Sequence, residues 1–233
     1  MNNYEGYLKG MEKSMQEKLF FLEYVDLNSY DLIIDFGCAS GDLIERIKPI
    51  INKSTSIIGI ERDSYMQCIL TQRGILWKSS LSELTGIKNK KVLIIFSSVL
   101  HEVEKYFVDI SVWLLKTKPT VVIRDMTPPI MRPLSKKELS IASFNKAAYE
   151  NIWGKIADSW NLYHYFLKYS YVDNWDTEVL ENYFSVPWGW FFEHGITEYR
   201  RDYILEYKKD RVYKDFGYTL TEPTHRQLIT RIK

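Results

Sequence analysis

The stretch that most constrains this chain is Leu32-Ile33-Ile34-Asp35-Phe36-Gly37-Cys38-Ala39-Ser40-Gly41-Asp42. Leu32, Ile33 and Ile34 form an all-apolar run, the pattern of a strand buried on both faces of a parallel sheet. The run ends on a carboxylate, Asp35, and passes into a turn carrying Gly37, Ala39, Ser40 and Gly41. Leu43, Ile44 and Ile47 then recur at helical spacing. Strand, small-residue turn and helix make the opening unit of a nucleotide-type α/β domain, in which a ligand meets backbone across the turn. A glycine turn alone is a weak signal, because a tight connection without a ligand uses the same residues. A second carboxylate strengthens it. Ser56–Ile60 reads as the next strand, and Glu61 sits at its tip, 26 residues after Asp35. An acid at that place faces the two hydroxyls of a ribose, which a two-oxygen acceptor holds best.

At this point the residues resemble the class I S-adenosylmethionine-dependent methyltransferases. The family's first motif, acid-x-Gly-x-Gly-x-Gly, is matched by Asp35, Gly37 and Gly41, with Ala39 replacing the middle glycine. The resemblance continues in Phe96-Ser97-Ser98-Val99-Leu100-His101-Glu102 as the fourth-strand motif. Val121-Val122-Ile123-Arg124-Asp125-Met126 is similar to the fifth strand. It covers residues 30–127 well and the C-terminal residues more loosely. It implies an α/β fold with a doubly wound, seven-stranded, mostly parallel sheet whose last strand is inserted antiparallel. It further implies S-adenosylmethionine as cofactor, held by Asp35, Gly37, Cys38, Ala39, Gly41, Glu61, Ser80, Leu81, Ser97 and Ser98. Relatives often carry an acid just past strand three. Ser79, Ser80 and Leu81 stand there instead, so a serine hydroxyl or a backbone group would have to serve. A dinucleotide oxidoreductase fits less well, since Leu43-Ile44 offer no third glycine, and no Gly-Lys-Ser/Thr follows the turn to make a P-loop.

The 233 residues suit a single domain with an insertion. A net charge of +1 creates no long-range field for nucleic acid or an anionic membrane. Cys38 and Cys68 are too few for a disulfide framework or a cysteine-rich metal site, so no metal is expected. The N-terminus carries Glu5 and Glu12 and no apolar core, and no run reaches the roughly 18–20 residues a membrane span requires. A soluble, cytoplasmic protein is the expectation.

Along the chain, residues 5–28 read as an N-terminal helix that would lie beside the ligand cleft or simply cover the sheet. Helices are predicted over 65–72, 103–117, 140–157, 160–169 and 207–216, and strands over 74–77, 91–96, 121–126, 197–204 and 226–232. Residues 130–195 break the alternation. From 149 to 199 there are 16 aromatic residues in 51 positions, against 15% for the whole chain. Residues 130–195 hold six Lys/Arg and eight Asp/Glu, so they are no basic stripe. Within them, 186–192 reads as an irregular loop. Aromatics in an insertion usually form its own small core, but one following strand five is positioned to act as a lid and acceptor pocket.

Methyl transfer requires the acceptor atom in line with the methyl group, and a base where that atom is protonated. His101 and Glu102, after strand four, lie where the acceptor would arrive, and histidine titrates near neutrality. Arg124 and Asp125, at the tip of strand five, are the second pair, either touching the acceptor or satisfying each other. His194 and His225 are lesser candidates. Neither the proline-proline-aromatic signature of DNA amino-methylation nor a nucleophilic cysteine for pyrimidine carbon methylation is present. Three readings stay open: a methyltransferase acting on a small molecule, one acting on nucleic acid (RNA above all), and a methyltransferase-like binding or structural subunit.

Overall fold

The computed structural model describes residues 14–103, 106–127, 131–136, 146–166, 180–203 and 225–233. Seven strands make one sheet: β1 (Leu32–Phe36), β2 (Ser56–Ile60), β3 (Trp77–Lys78), β4 (Val92–Ser97), β5 (Thr120–Met126), β6 (Gly195–Tyr203) and β7 (His225–Ile232), in the order β3-β2-β1-β4-β5-β7-β6. β1 pairs parallel with β2 and with β4, β2 with β3, and β4 with β5. Two hydrogen bonds give the direction of β7. Ile232 N–H donates to the Pro119 carbonyl just ahead of β5, and Lys233 N–H to the His194 carbonyl just ahead of β6. The end of β7 thus meets the beginnings of both neighbours, and it runs antiparallel between them.

The all-apolar runs explain the centre of the sheet. Ile33, Ile34, Leu93, Ile94, Phe96, Val121 and Ile123 are fully buried, and each contributes about 1.5–3 kcal/mol. The helices that follow the strands are α2 (Asp42–Ile47), α3 (Ser64–Gln72) and α4 (Phe107–Thr117). Asp63 caps α3, its Oδ1 accepting from Met66 N–H at 2.9 Å.

Three local expectations need correction. The predicted N-terminal helix is broken within its described part into α1 (Met15–Lys18) and two 3-10 turns, Phe20–Glu23 and Leu27–Ser29. Asp26 accepts from Asn28 N–H and starts the last turn afresh, while Phe21, Val25, Leu27 and Tyr30 pack into one core cluster with Ile33 and Leu93. The third strand is displaced toward Trp77–Lys78, because Gly74, at φ +65°, ends α3 by bonding back to Thr71.

The third correction concerns residues 186–192, which are not a loop. They lie in the helix Leu180–His194, with Pro187 inside it. An interior proline costs about 3 kcal/mol. Burial of Trp188 and Phe191, at about 1.5–3 kcal/mol each, offsets that. Phe191 packs at 6.0 Å on Phe96 of β4 and at 5.9 Å on Phe107 of α4. This part of the aromatic run is therefore core for the sheet.

The chain divides into two compact units, Met1–Asp125 with Val186–Arg201 and Gln227–Lys233, and Met126–Ser185 with Asp202–Arg226. In the second, helices α5 (Lys146–Trp153) and α6 (Ser159–Phe166) are joined by a turn. Pro133 bridges to Asp158, and Asp158 Oδ1 caps α6 by accepting from Asn161 N–H at 3.0 Å. Tyr165 and Leu162 are buried. With Leu180–His194 as α7, the helices are complete for the described residues; the helix predicted over 207–216 lies outside them, as do parts of the insertion.

Candidate functional site

Strand register gathers the motif residues at one edge. Phe36 lies opposite Ile60 on one side and Phe96 on the other, and Ser97 opposite Arg124. One step beyond, the β1 turn, Glu61, Ser97-Ser98 and Arg124-Asp125 all occupy the carboxyl ends of the strands, where open α/β sheets bind ligands.

The turn is a tightly engaged structure. Gly37 and Cys38 N–H groups donate to the Ile60 carbonyl at 2.8 and 3.2 Å, and Gly41 N–H to the Cys38 carbonyl at 2.8 Å. Ala39 N–H donates to Glu61 Oε2 at 2.8 Å. Gly37, Ala39 and Gly41 all have positive φ, at +70°, +47° and +83°. Ala39 thus keeps the left-handed conformation a glycine would take there, at about 1–2 kcal/mol. A Cβ on Gly37 would come within 2.4 Å of Val99 Cγ2, and one on Gly41 within 2.4 Å of Ile75 Cδ1. The protein itself excludes side chains at these positions. Arg73 fastens the turn from α3, donating to the Ser40 carbonyl at 2.6 Å, to Asp42 at 2.8 Å and to Glu45 at 2.6 Å. Sequence reasoning passed over Arg73, because nothing local to residue 73 points to residue 40.

Glu61 braces the same turn from β2. Its Oε1 accepts from Arg62 and Asp63 N–H groups at 2.7 and 2.8 Å, in addition to the Ala39 bond on Oε2. A carboxylate offers about four acceptor positions. Three are occupied, so one ribose hydroxyl can be accepted directly, and a second only by displacing a backbone donor.

Asp35 is buried, and its Oδ2 accepts no hydrogen bond from any described residue; the same holds for the Ser97 hydroxyl. Burial pushes the Asp35 carboxyl up to about 7, opposed by the charge of Lys18 and reinforced by Glu61. Both residues line a small opening, together with Met15, Lys18, Gly37, Cys38, Asp42 and Leu43. Cys38 packs against Gly59, and burial, with Asp35 and Glu61 beside it, pushes its thiol well above the ordinary range. It is a wall of the opening with no thiolate character. Ser80 and Leu81 follow β3: Leu81 is buried, and Ser80 Oγ lies 2.7 Å from Ser82 Oγ and 3.4 Å from Glu83. A carboxylate, Glu83, does stand in this turn, two residues beyond Leu81.

The β4–β5 tips carry two buried pairs. His101 Nδ1 lies 2.7 Å from Asp125 Oδ1, and Asp125 Oδ2 accepts from Leu100 N–H at 2.6 Å. Burial lowers the His101 pKa, but the charge and hydrogen bond of Asp125 outweigh it, and Glu102, 3.6 Å from Nε2, adds to them. The net result is a rise to about 10, so the ring is an imidazolium at neutral pH. Arg124 donates to Ser98 Oγ at 2.7 Å and to Glu17 of α1. Ser98 itself holds φ +58°, a conformation costing about 1–3 kcal/mol that clusters at ligand sites. Arg124 and Asp125 each hold further groups, Ser98 and Glu17 for the one, His101 and Leu100 N–H for the other. Outside this edge, His194 contacts the Trp190 carbonyl at 3.0 Å, and His225 packs beside Tyr203.

A seven-stranded sheet in this order, its seventh strand antiparallel and its first turn flanked by Asp35 and Glu61, defines the fold of the class I S-adenosylmethionine-dependent methyltransferases. Solved structures agree. The MccD protein is 9% identical, with 95% of this chain and 98% of that one covered and a TM-score of 0.56. An S-adenosylmethionine-dependent methyltransferase from Archaeoglobus fulgidus is 12% identical over 99% and 100% of the two chains, with a TM-score of 0.53. Another from Aquifex aeolicus is 9% identical over 93% and 90%, with a TM-score of 0.51. No family model matches the sequence, and no curated protein matches it. Among the described residues, no helix is long and apolar enough to cross a membrane.

Proposed function

We propose that this protein is an S-adenosylmethionine-dependent methyltransferase acting on a small-molecule acceptor. One observation carries the reading: Asp35 Oδ2 and Ser97 Oγ are buried without a partner, and both line the opening beside the glycine turn. Buried polar groups are nearly always satisfied, and an exception calls for a ligand or water to complete it. The cofactor fits this donor set, with Glu61 for the ribose and the Asp35–Ser97 side for the amino-acid end. When bound, it supplies an electrophilic methyl group. The chain's own residues bind and orient. As an imidazolium on Asp125, His101 is a donor that could hold an acceptor oxygen rather than take its proton. That favours an acceptor whose attacking atom arrives already deprotonated.

A small molecule is preferred to RNA because a net charge of +1 would neutralise few phosphates. Acceptor choice is assigned to the aromatic-rich stretch that follows β5, on its position in the chain. The test is calorimetry with S-adenosylmethionine and S-adenosylhomocysteine, then transfer of a labelled methyl group to metabolite and RNA pools. Binding with transfer to a metabolite is the expected result. Transfer confined to RNA would change the acceptor class, binding without transfer would make the protein a binding subunit, and no binding would overturn the reading.

A further inference from the structure

We infer that this chain forms a two-fold dimer through α4, two copies pairing their α4 helices antiparallel about an axis near Val112. One side of α4 is committed to the core by Phe107, Ile110 and Leu114, all buried. On its other side Val108, Val112 and Leu115 are 72%, 44% and 42% exposed. Their i, i+4, i+7 spacing sets them in one stripe along the helix, the pattern of a seam between two helices. Valine is a weaker helix former than the charged and amide residues that usually fill a solvated face, so local propensity gives no reason for Val108 and Val112 there. A partner that removes the stripe from water does.

The charges beside the stripe identify that partner as a second copy. Asp109 and Lys116 are both exposed and stand seven residues apart, almost two full turns, so they share one flank of the stripe. The residues one turn from each of them within the helix, Val112 and Trp113, carry no charge that could match either. In an antiparallel pair related by a two-fold axis, like flanks face each other in reverse order. Asp109 of one copy then meets Lys116 of the other, Lys116 meets Asp109, and Val112 packs on Val112. A parallel pair would set that flank against the opposite one, at Ser111, and leave these charges unmatched. Both copies present the same patch, so the contact closes at two subunits. A helix of 11 residues is only about 16 Å long. The contact is therefore small, and the dimer should dissociate at about 10–100 μM.

The test is sedimentation equilibrium of the full chain across and above that concentration range. Wild type should show a monomer–dimer equilibrium. Val112→Arg sets two like charges together at the axis and should weaken the dimer about 30-fold or more. Asp109→Lys alone, or Lys116→Asp alone, turns attraction into repulsion at both ends of the contact and should weaken it about 5-fold to 30-fold. The double exchange Asp109→Lys/Lys116→Asp restores opposite charges across the axis and should return the constant to within about threefold of wild type. Circular dichroism checks that each variant is folded, as substitutions at exposed positions should leave it. Should Val112→Arg fail to fold, the exchange series decides by itself. Wild type that stays monomeric, or that assembles beyond two, overturns the proposal. So does a dimer that folded Val112→Arg leaves intact, which would place the interface elsewhere. Loss of the dimer in both single exchanges without recovery in the double one overturns the antiparallel pairing.

Discussion

At one edge of one sheet, the tips of β1 and β2 and the tips of β4 and β5 treat buried charge in opposite ways. On the β1–β2 side, the backbone donors are engaged by the protein while acceptors stay open, with Asp35 Oδ2 unpartnered and one position left on Glu61. On the β4–β5 side, each charge has its counter-charge within the chain, His101 with Asp125 and Arg124 with Glu17. Open groups wait for a ligand to complete them; closed pairs hold geometry. Under the proposed function, Asp35, Glu61 and the β4-tip Ser97 hold the ligand while the paired charges at the β4–β5 tips position it, and the contrast can be broken from either side.

The largest effect is expected from Asp125→Asn. Asp125 is 1% exposed, and it serves both the His101 ring and Leu100 N–H. Removing one partner of a buried pair costs about 3–5 kcal/mol. The sign of its pH dependence follows from His101. With a folded pKa raised to about 10, the folded state keeps a proton that the unfolded state releases near the ordinary 6.5. The pair's stabilisation is therefore complete below about 6.5 and is lost as pH rises through about 10. The difference in melting temperature between wild type and Asp125→Asn should shrink across that window. The titrations of Lys18 and Asp35 occur in both proteins and largely cancel in the difference. A difference independent of pH would show that Asp125 matters only as the acceptor for Leu100.

Glu61→Ala tests the open side and should act on affinity more than on stability. Loss of a charge-assisted bond to the ribose, about 1.5–3 kcal/mol, should weaken S-adenosylhomocysteine about 10-fold to 150-fold. Part of any loss could come from the turn, since three backbone donors lose their acceptor. Glu61→Gln separates the two contributions in part, because its single amide oxygen can still accept from Arg62 and Asp63 N–H while the charge and the Ala39 bond are lost. Unchanged affinity in both variants would remove Glu61 from the ribose.

The elements of this edge differ in how openly the sequence displays them. Asp35, Gly37, Gly41 and Glu61 are legible because each sits at a strand tip whose apolar run announces it. The six strands with continuous apolar or alternating patterns are found within a residue or two. Arg73 and Glu17 are invisible, because their roles depend on partners 33 and 107 residues away. The helix through Pro187 was hidden for a related reason: local propensity argued for a loop, and packing of Phe191 on Phe96 and Phe107 overrode it. His101 was found by position, but only its hydrogen bond to Asp125 shows that its proton is held.

The smallest effect belongs to Glu17→Gln, which loosens the closed side where it meets α1. Two estimates compete for the Glu17–Arg124 pair. Arg124 is 5% exposed, and isolating a buried charge would cost several kcal/mol. Glu17 is 44% exposed, which makes its end of the pair a screened surface interaction of about 0–1 kcal/mol. The second estimate governs, because Arg124 keeps its bond to Ser98 at 2.7 Å and the glutamine oxygen can accept where the carboxylate did. A fall in melting temperature of about 2–4 °C at most is expected for a chain of this size. The effect on binding distinguishes the two sides more finely. Because Met15 of α1 lines the opening, Glu17→Gln should weaken S-adenosylhomocysteine only about twofold to fivefold, within that same 0–1 kcal/mol, and leave 5′-methylthioadenosine, which lacks the amino-acid end, unchanged. Equal weakening of both would mean that the Arg124 anchor shapes the whole edge, and that the division between an open and a closed side does not hold.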